Sequence, residues 1–306
     1  KASSSLPKPA LYLWRQTLVR KINERIIETA IRISGFAVIA FVVLIFLFLL
    51  KDSLSLFRVY SLKAFLTSTQ WLPISEPPTF GIIPLLMGSI LVTVAAIILC
   101  VPIGVAAALF IAEVAPGYLK MILKSLVEIL ASIPSVVLGF IGIVWLGPFL
   151  KHAFHLNTGM CGLTGAVLLA FMALPTIISI SEDAIVGIPR MYKEAAYGLG
   201  ATHWQALWRI VLPAASSGII AAVMLGIGRV IGETMVVMMV TGNAPIIPHS
   251  ILQPLRTLTA TIAGEMGETV GGSDHYYALF AVGLVLFIIT FLLNLAADMS
   301  LRKSRK

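Results

Sequence analysis

Apolar residues run along this chain in long blocks rather than at single-turn intervals. Ile33 to Leu50 is an apolar run with no charged residue. Further blocks cover Ile82 to Ala112, Ile129 to Leu150, Gly162 to Ile180, Ser216 to Val240 and Ala278 to Ala297. At 1.5 Å per residue each approaches or exceeds the roughly 30 Å of hydrocarbon in a bilayer. The pattern predicts an all-α, polytopic transmembrane helical bundle of six spans. The second block is long enough to tilt or to begin with an interfacial turn. Pro134 and Pro148 are predicted near the ends of the third span, and Pro175 to interrupt the fourth.

The polar stretches between the blocks read as loops. Residues 51–81, with Trp71, Pro73, Pro77 and Pro78, read as an external loop, 113–128 as a short charged loop, and 151–161 as another short loop. Residues 181–215 form a longer connection, and 241–277 a loop with three prolines and several glycines. A signal peptide would have a shorter apolar region than residues 33–50 and a small-residue cleavage site after it, where Lys51-Asp52 stands instead. The first run is therefore read as a retained transmembrane helix.

Composition agrees. Of 306 residues, 58% are hydrophobic and 12% charged, where a soluble domain carries about 25% charged residues. The net charge of +8 would suit nucleic acid, but its distribution fits topology better. With the N-terminus inside, inner segments hold 16 of the 22 Lys and Arg. That bias predicts cytoplasmic termini and a cytoplasmic 181–215 segment. Residues 1–32 form a basic arm, in which Tyr12 to Arg32 reads either as an amphipathic helix on the inner surface or as a solvated lead-in. Cys100 and Cys161 make no disulfide framework.

The 181–215 segment is richer than a connector needs. It carries Tyr192, Tyr197, Trp204 and Trp208. Pro189 precedes a predicted helix start, Gly198 and Gly200 predict a bend, and Thr202 can cap a second short helix, His203 to Ile210. A helix–bend–helix elbow with exposed apolar groups is a docking surface of the helix-in-groove kind. A connector lying on lipid headgroups, where Trp and Tyr are favoured, fits the composition equally well.

The fifth span holds Arg229 near its middle and Glu233 four residues later. On a continuous helix these are about 40° apart and share a face. An arginine at the bilayer centre costs about 3 kcal/mol on insertion scales, which argues for a bundle interior or a watered path. Gly228 to Gly232 is a small-xxx-small spacing that lets helices approach. A structural ion pair with Glu233 is one reading. The other is a charge on a translocation path, since a guanidinium matches an oxyanion in bidentate geometry.

Resemblance to a known family bears on both. Glu194-Ala195-Ala196, three residues, Gly200, nine residues, Ile210, one residue, Leu212-Pro213 resembles the EAA loop of ABC importer permeases. GRVIGETMVVMMVTGN from Gly228, FGIIPLLMGSILVT from Phe80, IAEVAP from Ile111 and ILASIPSVVLGFIG from Ile129 resemble the PstC-type permease of phosphate-specific ABC importers. Val230 and Val236 stand where alanine is expected, and the loop after the third span is short. The resemblance implies a methionine-importer-like ABC permease core over residues 80–300, with a cytoplasmic coupling loop at 181–215. Glu194, Ala195, Ala196, Tyr197, Gly198 and Gly200 would couple to an ATPase, and Arg229 and Glu233 would line the substrate path. The implied partners are a second permease (PstA-type), an ATPase dimer (PstB-type) that binds the ATP, a phosphate-binding protein outside (PstS-type), and the bilayer of a bacterial inner membrane. A permease for sulfate or molybdate is the neighbouring reading.

Other classes fit less well. There is no G-x-x-x-x-G-K-[ST], so ATP binding through a P-loop is not expected of this chain. His152 and His155 form an H-x-x-H without further ligands nearby, so no metal site is expected. An intramembrane enzyme built on Arg229 and Glu233 lacks a nucleophile. A membrane scaffold would not need charge at mid-span. Glu182-Asp183 reads as a solvated start to the coupling loop, and Met224, Met235, Met238 and Met239 read as packing groups.

Overall fold

A computed structural model describes residues 8–304, with side-chain surroundings described for residues 25 and 27–299. Residues 1–51 and 52–306 are two separate units of chain contact. The described residues of the first, from Lys8 on, belong to a single helix, α1 (Lys8–Leu56). The backbone of the basic arm is thus helical from Lys8. Residues 1–7 and the side chains through Glu24 lie outside the described residues, as do Arg305 and Lys306 of the tail.

The second unit continues with α2 (Leu62–Thr67), an antiparallel pair β1 (Trp71–Leu72) and β2 (Thr79–Phe80), and α3 (Ile83–Leu109). Then come α4 (Gly117–Ala131), α5 (Ser135–Ile141), α6 (Gly147–Ala153), α7 (Gly162–Val186) and α8 (Arg190–Gly198). The chain ends with α9 (His203–Ala206), α10 (Leu212–Gly232), α11 (Met235–Val240), α12 (Leu258–Glu265) and α13 (Asp274–Ser304). Short π-helical turns, Phe110–Val114, Gly142–Leu146 and Leu207–Val211, extend or join these helices. Among the described residues six helical runs are long and apolar enough to cross a bilayer: Ile27–Leu56, Ile83–Val114, Ser135–Ala153, Gly162–Val186, His203–Gly232 and Asp274–Met299. The expected all-α fold with six membrane-length helical runs is what the described residues form.

Helices α3, α7 and α10 make the centre, and small residues set their spacing. Ile177 of α7 is fully buried. A Cβ at Gly104 of α3 would sit 2.8 Å from its Cγ2, and one at Gly226 of α10 would sit 2.7 Å from its Cγ1. Two glycines on different helices thus hold one isoleucine between them. Around it gather Val92, Ala96 and Cys100 from α3, Ala170 and Ala173 from α7, and Val230 from α10. The Gly228–Gly232 spacing does not serve this contact; no atom lies within 4 Å of a Cβ built at either position.

Several expected boundaries move, each for a local reason. Pro134 does not sit inside the third span; it is the N-cap of α5, because it cannot donate to a preceding turn and restricts Ile133. The charged segment 113–128 is mostly helix: α4 starts after Pro116 and places Lys120 and Lys124 one turn apart. Pro175 does not interrupt the fourth span; α7 runs through it to Val186. Residues 181–215 are therefore mostly helical, with non-helical backbone only around Gly187 to Pro189 and Leu199 to Thr202.

The 241–277 segment is not a free loop. It folds back onto the bundle and supplies backbone partners to other elements. The Ile251 carbonyl accepts from Leu163 N–H at 2.7 Å and the Gln253 carbonyl from Gly162 N–H at 3.1 Å, satisfying orphan donors at the start of α7. Leu258 N–H donates to Ser89 Oγ at 2.9 Å. Gly88 admits the Arg256 carbonyl, which would lie 2.2 Å from a Cβ there. At the same end Glu265 accepts from Trp71 Nε1 at 3.1 Å, pairs with His275 Nε2 at 2.8 Å, and pairs with Arg256. One carboxylate thereby ties the β-hairpin to the start of α13.

Candidate functional site

Two regions carry the chemistry: the elbow between α7 and α10, and the break after α10.

At the elbow, Gly187 closes α7 with its N–H on the Asp183 carbonyl at 2.9 Å. Pro189, extended at φ −57 and ψ 133, is the N-cap of α8. The end of α8 is a Schellman motif. Gly200 N–H donates to the Tyr197 carbonyl at 2.9 Å and Ala201 N–H to the Ala196 carbonyl at 3.0 Å. Gly200 has φ +80, the left-handed conformation that a Cβ disfavours. Thr202 then opens α9 with a complete capping box: Gln205 N–H donates to Thr202 Oγ1 at 3.3 Å, and Thr202 N–H to Gln205 Oε1 at 2.9 Å. The bend and cap expected at Gly200 and Thr202 are both present. No polar loop separates the elbow from the fifth span, since His203–Gly232 is one helical run through the π turn.

The elbow has an inner and an outer side. Ala196 is buried, and Ile188 joins Leu109, Ile185, Leu207 and Val211 in an apolar cluster. Glu194, Ala195, Tyr197, Gly198 and Gly200 are exposed, and Leu199 between them is 90% exposed. The six coupling candidates thus fall on one short helix and its bend, five of them facing outward. Lys193 points inward and pairs with Glu113 in the π turn after α3.

Glu182 is not solvated. It is 3% exposed and takes Lys120 at 3.0 Å and Lys124 at 2.8 Å, both from α4. Its hydrogen bond lifts the Lys124 pKa above the usual lysine range, with Coulombic attraction from Glu182 and Asp183 adding and desolvation opposing. An acidic pair beside a predicted loop start gave no sign of this; the lysines at positions 120 and 124 did, once placed on a helix.

The fifth span differs from expectation at its charges. The helix stops at Gly232, and Glu233 is extended at φ −71 and ψ 132. Its carboxylate Oε1 caps α11, accepting from Met235 N–H at 3.0 Å and Val236 N–H at 3.2 Å. The Glu233 carbonyl, freed by the break, accepts from Thr259 Oγ1 at 2.9 Å. Arg229 and Glu233 therefore do not share a helix face, and among the described residues Arg229 has no ion-pair partner. Arg229 Nη1 donates instead to Thr176 Oγ1 at 3.2 Å. Arg229 is exposed within this chain, and Glu233 and Thr234 are partly so. Among the described residues Thr176 is the guanidinium's side-chain partner, and the five-donor group sits on an open face of the central helix. Nothing in the sequence marks Thr176, 53 positions from Arg229; only the α7–α10 packing brings it near.

A family model described as "Binding-protein-dependent transport system inner membrane component" matches residues 101–306. The chain is 39% identical over 274 residues to a probable ABC transporter permease protein, YqgH, of Bacillus subtilis, covering 89% of this chain and 88% of that one. It is 40% identical over 250 residues to the phosphate transport system permease protein PstC of Mesorhizobium japonicum, covering 75% of each. A solved structure of the MetNI methionine ABC transporter in an inward-facing conformation is similar in fold, with a TM-score of 0.57 at 23% identity over 76% of this chain and 99% of that one. A chain of this fold, with an exposed EAA helix that bends at Gly200 into the helical run carrying Arg229, belongs to the family of binding-protein-dependent transport system inner membrane components.

Proposed function

We propose that this permease forms, with a second permease of similar fold, the membrane path for inorganic phosphate. The observation that carries the reading is continuity: α8 bends at Gly200 and passes through the Thr202 cap directly into α9, and α9 and Arg229 lie on one helical run, His203–Gly232. A partner that moves the elbow moves the helix that presents the guanidinium. The chain carries no P-loop sequence, so a cytoplasmic ATPase dimer binds ATP and grips Glu194 to Gly200 from the inner side. An extracytoplasmic binding protein delivers the anion from the opposite face. Both termini lie in the cytoplasm, as the basic residues favour.

Arg229 and Glu233 line the path in this reading. Arg229 offers planar, bidentate donation to an oxyanion, with one nitrogen held by Thr176. Glu233 keeps the backbone open beside it by capping α11. Broken helices at a binding level are a recurring transporter device, because freed backbone groups are tolerated where they face protein or a watered path. Resemblance to a phosphate permease supports phosphate over other oxyanions. The test is reconstitution of the permease pair with ATPase and binding protein in vesicles. ATP-dependent uptake of labelled phosphate, competed by phosphate but not by sulfate or molybdate, is expected. Preferential uptake of sulfate or molybdate would replace the assignment.

A further inference from the structure

Glu113 and Lys193 form an ion pair at the inner end of the bundle. Glu113 belongs to the π turn that ends the second span, and Lys193 to α8 of the elbow. The Glu113 side chain is 8% exposed and that of Lys193 21%. Water screens such charges poorly, so the two are held together. Three residues after Glu113, Pro116 opens α4, whose Lys120 and Lys124 close on the buried Glu182 of α7. Helix α7 then runs into α8 through Gly187 to Pro189. The charges complete a ring: α8 to the end of α3, on through α4 to α7, and back to α8.

The elbow is also attached through the apolar cluster around Ile188 and Leu207. Apolar contact is non-directional and lets surfaces slide. A charge-assisted hydrogen bond fixes a point. We propose that the Glu113–Lys193 pair is the point where displacement of the elbow is handed to the second span, α3. Helix α3 meets α7 at Ile177, next to Thr176, which holds Arg229. The pair thus connects the docking helix to the packing that positions the guanidinium. This inference rests on the coupling reading above, and Lys193 and Glu113 are positioning residues in it.

The test uses the complete complex in vesicles, with labelled inorganic phosphate and simultaneous measurement of ATP hydrolysis. The double variant E113Q/K193M removes both charges, so no buried charge is left alone. The reversed variant E113K/K193E restores a pair with opposite polarity. Phosphate taken up per ATP hydrolysed is expected to fall about fivefold or more in the neutral variant, the low end of typical coupling energies, and to recover in the reversed one. A pair that serves only to hold the fold would change assembly or melting temperature and leave that ratio alone. An unchanged ratio in E113Q/K193M overturns the inference while leaving the function standing. A reversed pair that assembles without recovery, or failure of both variants to assemble, also overturns it. Absence of phosphate uptake in the wild-type complex would remove the function reading and this inference together.

Discussion

Arg229 of α10 donates from Nη1 to Thr176 Oγ1 of α7 at 3.2 Å, while Glu233, four residues further on, turns away to cap α11. The bond exists because Gly226 and Gly104 close on Ile177 and bring α10 against α7 one residue from Thr176. Arg229 is thereby held from one side and open on the other.

Replacing Arg229 with Lys keeps the charge and removes the planar fork. Loss of one charge-assisted bond, about 1.5 kcal/mol or more, corresponds to roughly tenfold or more in uptake. Thr176→Val is expected to raise the apparent KM for phosphate, and Thr176→Ser to restore it. Initial uptake rates in the reconstituted complex read both. Wild-type rates in Arg229→Lys would remove the anion role.

Glu233 acts through the break, so its substitutions separate by hydrogen-bonding capacity. Glu233→Ala loses the cap on Met235 and Val236 and should cost about 1 kcal/mol, seen as a lower melting temperature of the assembled complex. Glu233→Gln keeps an acceptor oxygen and should lose less. The charge-reversed double variant Arg229→Glu with Glu233→Arg is expected to fail in transport, since an arginine at 233 cannot accept from those two amides. Full transport in the reversed pair would show that neither the cap nor the position of the charge matters.

Gly200 has φ +80 and no atom within 4 Å of a Cβ built on it. The cost of a side chain there is conformational, about 1–2 kcal/mol for most residues, and smaller for Asn. Gly200→Trp should still insert and assemble, but phosphate-linked ATP hydrolysis should fall, and Gly200→Asn should fall less. Equal activity in both would mean that the bend plays no part in coupling.

Lys124 titrates above the usual lysine range because it hydrogen-bonds Glu182. A pKa raised in the folded state contributes stability that is complete below the unfolded value and is lost as pH rises through the folded one. The tie between α4 and α7 should therefore hold at neutral pH and loosen only above about pH 10.4, the ordinary lysine value. Spin-label distances between α4 and α7 are expected to be narrow at pH 8 and to broaden at strongly alkaline pH. In Lys124→Met they should already be broader at pH 8. A broad distribution for the unaltered protein at pH 8 would contradict the tie.

Topology is open to chemical labelling. Val270 is 77% exposed on the 241–277 segment. In a background with the buried Cys100 and Cys161 replaced, Val270→Cys should react with a membrane-impermeant thiol reagent in intact cells. Reaction only after lysis would place this segment in the cytoplasm and invert the orientation.

Several features of this protein were legible in the sequence because they rest on local or one-dimensional physics. A block of apolar residues long enough to cross hydrocarbon forms a helix there, since every backbone group must bond within its own segment. That accounts for the six spans. The Gly200 bend and the Thr202 cap depend on residues within a few positions of each other, and both appear as expected. So does the outward face of Glu194 to Gly200, apart from Ala196, which the cluster beneath it buries.

Long-range contacts decided the rest. Glu182 looked solvated because nothing near it in sequence neutralises it; its lysines come from α4, 58 and 62 positions earlier. Arg229 and Glu233 are partners only on an unbroken helix, and α10 ends at Gly232. Past Gly232 the backbone is extended at Glu233; Thr259, from a segment that reads as a loop, donates to the Glu233 carbonyl that the break frees, and the carboxylate accepts from two amides instead of pairing with the guanidinium. Spacing along a chain predicts a shared face only while the helix persists, and here the break is satisfied by a hydroxyl 26 residues away.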